Sequence, residues 1–191
     1  MDFKGGGADI LPSELTYNAY STYEYTIREF TMPSNVPKPS NCFKMFGDMS
    51  SLTSIDLTNL DTSEVISMSN MFNGCSSLVT LDVTMLNTSK VTNMRSMFQR
   101  CSKLETLNLT NFNTENVTDM SYMFANDRSI KELDLTSFSF NNSVYVTEMF
   151  MTGTTSGTSI YNVYVKSEAD KTYLENNNAN PYGQVTIIVK S

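Results

Sequence analysis

The chain contains no histidine. That absence removes the commonest general base, the commonest metal ligand and every histidine-dependent triad. Cysteine is scarce too: Cys42, Cys75 and Cys101 are the three thiols, and no two form a C-x-x-C pair, so a zinc or redox reading lacks its ligands. Charged residues are only 17 %, the formal net charge is −7, and no cluster of lysines and arginines offsets it. An acidic surface repels phosphate backbones, so no nucleic-acid partner is expected. No Gly-rich phosphate loop occurs. No run approaches 18 consecutive apolar residues, so no membrane insertion is expected either. The first residues, Met1 to Gly7, carry no apolar signal region. The expectation is either an excised mature domain or a protein not exported by that route.

What is present is a repeat. Met-Phe recurs every 26 residues, at Met45-Phe46, Met71-Phe72, Met97-Phe98, Met123-Phe124 and Met149-Phe150. A second triplet keeps the same beat: Ile55-Asp56-Leu57, Leu81-Asp82-Val83, Leu107-Asn108-Leu109 and Leu133-Asp134-Leu135. A fixed period of this length means a stacked array in which each unit buries its apolar stripe against its neighbours. The chain's 191 residues suffice for one such domain with a real core.

Within one unit, Leu81 and Val83 alternate with Asp82 and Thr84, the period-2 pattern of a strand. Strands are expected over 54–58, 80–84, 106–110 and 132–136. Asn87-Thr88-Ser89 then favours a turn. Val91, Met94, Met97, Phe98 and Cys101 follow at spacings of three, three, one and three, which reads as one stripe on a short helix. Helical turns are expected near 66–73, 92–99 and 118–125, with Thr88 or Ser89 as a cap. Met fills irregular gaps between rungs. Cys75 and Cys101 lie one period apart and read as buried thiols, although adjacent rungs would bring them within about 5 Å, near enough for a disulfide.

The strand pattern Leu78, Leu81, Val83 is that of leucine-rich repeats. The fuller stretch Met71-Phe72-Asn73-Gly74-Cys75-Ser76-Ser77-Leu78-Val79-Thr80-Leu81-Asp82-Val83-Thr84 closely resembles the BspA-like leucine-rich repeats of bacterial surface proteins, as does Val91-Thr92-Asn93-Met94-Arg95-Ser96-Met97-Phe98. The resemblance covers about residues 42–150. It implies an α/β leucine-rich-repeat solenoid, a parallel strand plus a short helix per repeat, capped at both ends. It also implies a surface-exposed or extracellular, non-catalytic role in adhesion or recognition. The sequence departs from the pattern in two places. The usual Asn ladder after the strand is replaced by Leu60, Leu86, Phe112 and Phe138, so Asp61, Asn87 and Asn113, with Thr62, Thr88 and Thr114, take over the turn. The thiol position becomes Met49 in the first unit and Asp127 in the fourth; an aspartate there predicts an array that opens toward solvent.

Three parts follow: an N-terminal arm and cap over 1–41, the leucine-rich-repeat array over 42–150, and a C-terminal repeat remnant and cap over 151–191. In the first, Tyr17, Tyr20, Tyr23 and Tyr25 cluster; they either form a docking surface or cover the first rung. In the last, 160–165 and 185–189 read as strands. Ser167-Glu168-Ala169-Asp170 reads as a capped helix start. After Phe138 the register has two solutions: Met149-Phe150 continues the 26-residue beat, whereas Val146 to Met149 aligns with Val117 to Met120 at a spacing of 29.

Three outward columns are expected on the strand face: Ser54, Thr80, Thr106, Glu132; then Asp56, Asp82, Asn108, Asp134; then Thr58, Thr84, Thr110, Thr136. Together with the tyrosines, the second and third columns are the candidate partner-binding residues, for a protein or glycan. Threonines stacked about 5 Å apart can form hydroxyl chains, while stacked carboxylates repel. A calcium ion could relieve that repulsion, but Asn108 interrupts the column, and a solvated acidic face is the favoured reading. No metal or cofactor is expected. Asp56 and Asp82 are the only candidate acid/base pair, and a flat sheet lacks the cleft that paired carboxylates need. No enzyme activity is expected. The alternative to a free recognition module is a structural subunit of a larger assembly, such as a virion appendage.

Overall fold

The computed structural model describes residues 27–141, 143–153 and 161–190. The tyrosine cluster of Tyr17, Tyr20, Tyr23 and Tyr25 lies outside these. Among the described residues, seven short strands stack along the array: β1 Glu29–Thr31, β2 Ser54–Asp56, β3 Thr80–Leu81, β4 Thr106–Leu107, β5 Glu132–Asp134, β6 Tyr161–Val165 and β7 Val185–Val189. Every pair that forms is parallel: β1 with β2, β3 with β4, and β5 with β6 with β7. A second parallel ladder runs along another side, through single bridges joining Asn41, Ser67, Asn93, Asp119 and Tyr145. The result is a parallel β-solenoid of about six turns.

The repeat register follows the sequence beat. Thr80 pairs with Thr106 and Leu81 with Leu107. The 26-residue spacing also holds through the last unit. Asp119 bridges Tyr145, the Phe124 amide donates to the Met149 carbonyl at 3.0 Å, and the Phe124 and Phe150 rings stack at 6.1 Å. The alternative spacing of 29 is therefore not the one adopted.

The strands are shorter than the alternation suggests, and the reason is local. In each unit an Asp or Asn side chain accepts from the backbone two residues on, as Asp82 Oδ1 does from the Thr84 amide at 3.0 Å. This turn diverts the backbone from the ladder before residue 84.

The expected helices near 66–73, 92–99 and 118–125 are absent, and turns replace them. Two residues per unit adopt left-handed backbone. Lys44, Asn70, Ser96, Tyr122 and Glu148 have φ between 53° and 61°, and four residues after the first four come Asp48, Gly74, Arg100 and Asn126 with φ between 64° and 78°. A right-handed helix cannot contain such residues. The spacing of three that imitated a helix comes from successive tight turns, such as Met71 N–H to the Met68 carbonyl at 3.2 Å and Cys75 N–H to the Phe72 carbonyl at 3.1 Å. The intervening amides reach the next rung instead: Asn70 to Arg95, Phe72 to Met97 and Gly74 to Gln99, at 2.8–2.9 Å. Alternate donors thus serve the turn and the stack, and the backbone stays paired.

The interior is a set of columns. Phe46, Phe72, Phe98, Phe124 and Phe150 stack with centroids 5.4–6.1 Å apart, each such pair contributing about 0.5–1.5 kcal/mol beyond area burial. Met68, Met71, Met94, Met97, Met120 and Met123 are fully buried. The thiols are buried and free; Cys75 Sγ donates to the Phe46 carbonyl at 3.0 Å and Cys101 Sγ to the Phe72 carbonyl at 3.2 Å. Burial pushes the Cys42 and Cys75 thiols up to about 12, so they are protonated and inert at neutral pH.

The turn chemistry that replaces the Asn ladder is a buried threonine ladder. Thr62 Oγ1 donates to the Asn87 carbonyl at 3.0 Å and accepts from the Asn87 amide at 2.8 Å. Thr88 does the same with Asn113, and Thr114 Oγ1 accepts from the Ser139 amide at 2.7 Å. At the C-terminal end, helix α1 (Glu168–Asn176) lies between β6 and β7, and Ser167 caps it by accepting from the Asp170 amide. The corner column continues beyond the repeats: Phe150 N–H donates to the Ala179 carbonyl at 2.9 Å.

Candidate functional site

The strand face carries the predicted columns. β2 to β5 set the Ser54, Thr80, Thr106, Glu132 column outward, and all four are exposed. The register extends it in both directions, to Glu29 opposite Ser54 and to Asn162 opposite Glu132. The Asp column likewise continues to Thr31 opposite Asp56, and to Tyr164 and Ile188 beyond Asp134. Glu29 and Thr31 were missed because they precede the recurring motif. Asn162 and Tyr164 were legible in the alternation from Tyr161 to Val165, but their register with Asp134 was not.

The Asp and Thr columns are joined within each rung, not along the columns. Thr58, Thr84, Thr110 and Thr136 each donate both a backbone amide and a hydroxyl to Oδ1 of Asp56, Asp82, Asn108 and Asp134 respectively. Amide distances are 2.9–3.1 Å and hydroxyl distances 2.5–2.8 Å. The hydroxyl chains that stacked threonines can form are therefore not seen among the described residues. One carboxylate oxygen per rung is committed to the turn. The donated hydrogen bonds, the hydroxyl's first and the amide's second, hold Asp56 and Asp82 below the usual carboxylate range. At Asp134 burial is the largest influence and opposes ionisation. The Lys190 ammonium, 2.6 Å from Oδ2, and the Thr136 donors outweigh it, and the net shift is downward. This leaves the outer oxygens of Asp56 and Asp82 without a protein partner among the described residues. Asn108 takes the same clasp with a neutral amide. The clasp thus accounts for the residue pair structurally, and the outer oxygens are what remains for a ligand. Asn108→Ala is expected to cost about 1 kcal/mol, because it removes the acceptor of two bonds. Thr84→Ala keeps its backbone bond and is expected to stay within about 0.5 kcal/mol. Urea midpoints of the two variants check this.

Flanking the same rung, Val79 and Met85 are exposed large apolar side chains, so the Asp82–Thr84 pair sits between two apolar neighbours. One column further out, Glu105 and Lys131 pair across rungs at 2.5 Å. The bridged ladder forms the other ordered side, where a helical face had been expected. It carries a Glu64–Lys90 pair at 2.7 Å, the Arg95 guanidinium 4.7 Å from the Tyr122 ring centroid, and exposed Ile66 and Tyr145. Among the described residues no three His, Cys, Asp or Glu side chains group as metal ligands, and no helix is long and apolar enough to cross a membrane.

The profile of the family described as Mycoplasma protein of unknown function, DUF285, matches residues 40–172. The chain belongs to the DUF285 family. The matched segment begins beside Asn41, the first member of the bridged ladder, and runs into α1. No curated protein matches this DUF285 chain. Among solved structures it is similar to the crystal structure of the pneumococcal vaccine antigen PcpA. Identity is 17 %, the TM-score is 0.50, and the match covers 86 % of this chain and 42 % of that one. At that identity the likeness is one of fold, and the DUF285 chain spans less than half of the antigen's length.

Proposed function

We propose that this DUF285 solenoid is a non-enzymatic recognition module that acts at a cell surface or outside the cell and binds a protein or a glycan on its strand face. The observation that carries the reading is the rung-by-rung recurrence of the clasped Asp-x-Thr unit with one carboxylate oxygen left outward at Asp56 and Asp82. Repeated acceptors at a spacing of about 5 Å suit an extended ligand bearing hydroxyl or ammonium donors. The resemblance of the repeat to BspA-like repeats and the fold likeness to a vaccine antigen support the surface setting.

The test uses substitutions that spare the fold. Asp56→Asn with Asp82→Asn keeps the Oδ1 acceptor, as Asn108 does naturally, and removes only the charge. Wild-type protein is screened on a glycan array and against immobilised extracellular-matrix proteins. The double variant is expected to bind any ligand found at least about tenfold more weakly, the scale of one charged hydrogen bond. Equal affinity of the two proteins, or binding that maps to the bridged ladder, would remove the strand face from the reading.

A further inference from the structure

Asp127 occupies the place that Cys75 and Cys101 hold in the two preceding rungs. An aspartate at that place predicts an opening toward solvent, and the structure corrects this: Asp127 is completely buried. Neither carboxylate oxygen has a hydrogen-bond partner among the described residues. Its surroundings come from two sides. The preceding rung contributes Cys101, and β6 of the C-terminal cap contributes Tyr161, both close enough to be influenced by a charge on Asp127. Each is itself held protonated, chiefly by burial. Arg128, next in the chain, directs Nε to the Thr152 carbonyl at 3.2 Å. No ammonium or guanidinium among the described residues pairs with Asp127. The segment 154–160 contains no titratable side chain in its sequence.

The position is a donor position. In the two earlier rungs the thiol donates to the carbonyl of the Phe that lies 29 residues back. A neutral carboxylic acid keeps an O–H that can donate at this place, although Asp127 makes no bond to the Phe98 carbonyl like those of the thiols. A carboxylate cannot donate, and would set an unpaired charge in an apolar interior against a thiol and a phenol.

We propose that Asp127 is a proton-operated clamp between the last rungs of the array and the C-terminal cap, neutral and closed in acid, ionised and loosened as pH rises. Burial is the dominant influence on the group and moves its titration well above the usual carboxylate range, with the Cys101 backbone acting in the opposite direction. The sign follows from linkage. The folded state holds the proton more tightly than the unfolded chain, so the stabilising effect is complete below the ordinary carboxylate value of about 4 and is lost as pH rises through the folded value. Between the two, each pH unit lowers the folding equilibrium constant by up to a factor of about ten. Asp56, Asp61, Asp82 and Asp134 are shifted the other way. Their contribution is present above the ordinary value and lost as pH falls, so the two effects occupy different windows.

The experiment measures urea midpoints of the full chain from pH 4.5 to 8.5 for the wild type, Asp127→Asn and Asp127→Cys, the last restoring the residue of the preceding rungs. Carbon-13 NMR of the aspartate carboxyls follows the titration directly. The wild type is expected to lose stability as pH rises from the ordinary carboxylate range until the folded Asp127 has ionised, while both variants stay flat. Amide exchange, corrected for its intrinsic pH dependence, should quicken with pH in β6 and β7 before it does at Phe72 and Phe98. A wild-type slope that survives in Asp127→Cys overturns the proposal, as does an Asp127 carboxyl that titrates near pH 4. If Asp127→Asn does not fold, the cysteine variant and the NMR titration still decide.

Discussion

Met97→Asp is expected to unfold the array at neutral pH. Met97 is fully buried, with Met71 and Met123 equally buried in the adjacent rungs. Losing the thioether volume costs about 2–5 kcal/mol, and enclosing an unpartnered carboxylate costs several more. Typical domain stability is about 5–15 kcal/mol in total. Asp127 is the natural comparison: a buried carboxyl is tolerated beside the cap at a position that asks for a donor, whereas the Met97 position asks for apolar bulk. Met97→Leu, nearly equal in volume, should lose less than about 1.5 kcal/mol. Circular dichroism melts of the two variants provide the check. A Met97→Asp protein melting within a few degrees of the wild type would refute the inward assignment of the methionine column.

The second large effect is expected at Gly74. Its φ is +78°, and an added Cβ would lie 2.9 Å from Asp48 Oδ1 and 3.3 Å from the Asp48 Cα. The equivalent residues Asp48, Arg100 and Asn126 show that side chains can occupy this left-handed position when their neighbours leave room. A β-branched residue there is a conformational outlier in addition to the contact. Gly74→Val should therefore cost about 2–4 kcal/mol, from left-handed strain of about 1–3 kcal/mol plus displacement of Asp48. Gly74→Asn should cost less than half as much, since asparagine adopts this region more readily. Chemical denaturation of both variants measures the difference. Equal losses would mean that the contact with Asp48, and not the backbone, controls this corner.

These two positions also show where sequence reasoning succeeded and where it failed. The inward placement of Met97 followed from the period alone, because each rung, 26 residues on, repeats the same environment and the apolar positions recur with it. The turn at Gly74 was misread. A series of three-residue turns places apolar side chains at spacings of three, as a helix does, and only backbone direction separates the two. Asn70, Gly74 and Asn126 were the available signal, since Asn and Gly are the residues that enter left-handed backbone most easily. Ser96, Arg100 and Tyr122 hold equivalent left-handed positions without any such signal, held there by the rungs on either side.

The candidate face divides in the same way. Its columns were legible because a strand alternates with period two and the repeat is locked at 26 residues. What the Asp and Thr side chains do to each other was not. The pairing of Thr84 with Asp82 within a rung depends on a turn that closes after Leu81, and no periodicity encodes it. The partner of Asp134 is Lys190, 56 residues away.

By itself, then, the sequence determined the repeat length, the stacked parallel architecture, the buried Phe, Met and Cys columns and the capped helix at Ser167. Each of these rests on local chemistry or on a pattern repeated often enough to be read. Only the tertiary structure decided that the repeat contains no helix, that the last unit keeps the 26-residue register, and that Asp127 is enclosed against β6. Those outcomes depend on which rung lies above and below a residue. Burial and hydrogen-bond satisfaction are properties of the stack, and a linear pattern does not carry them.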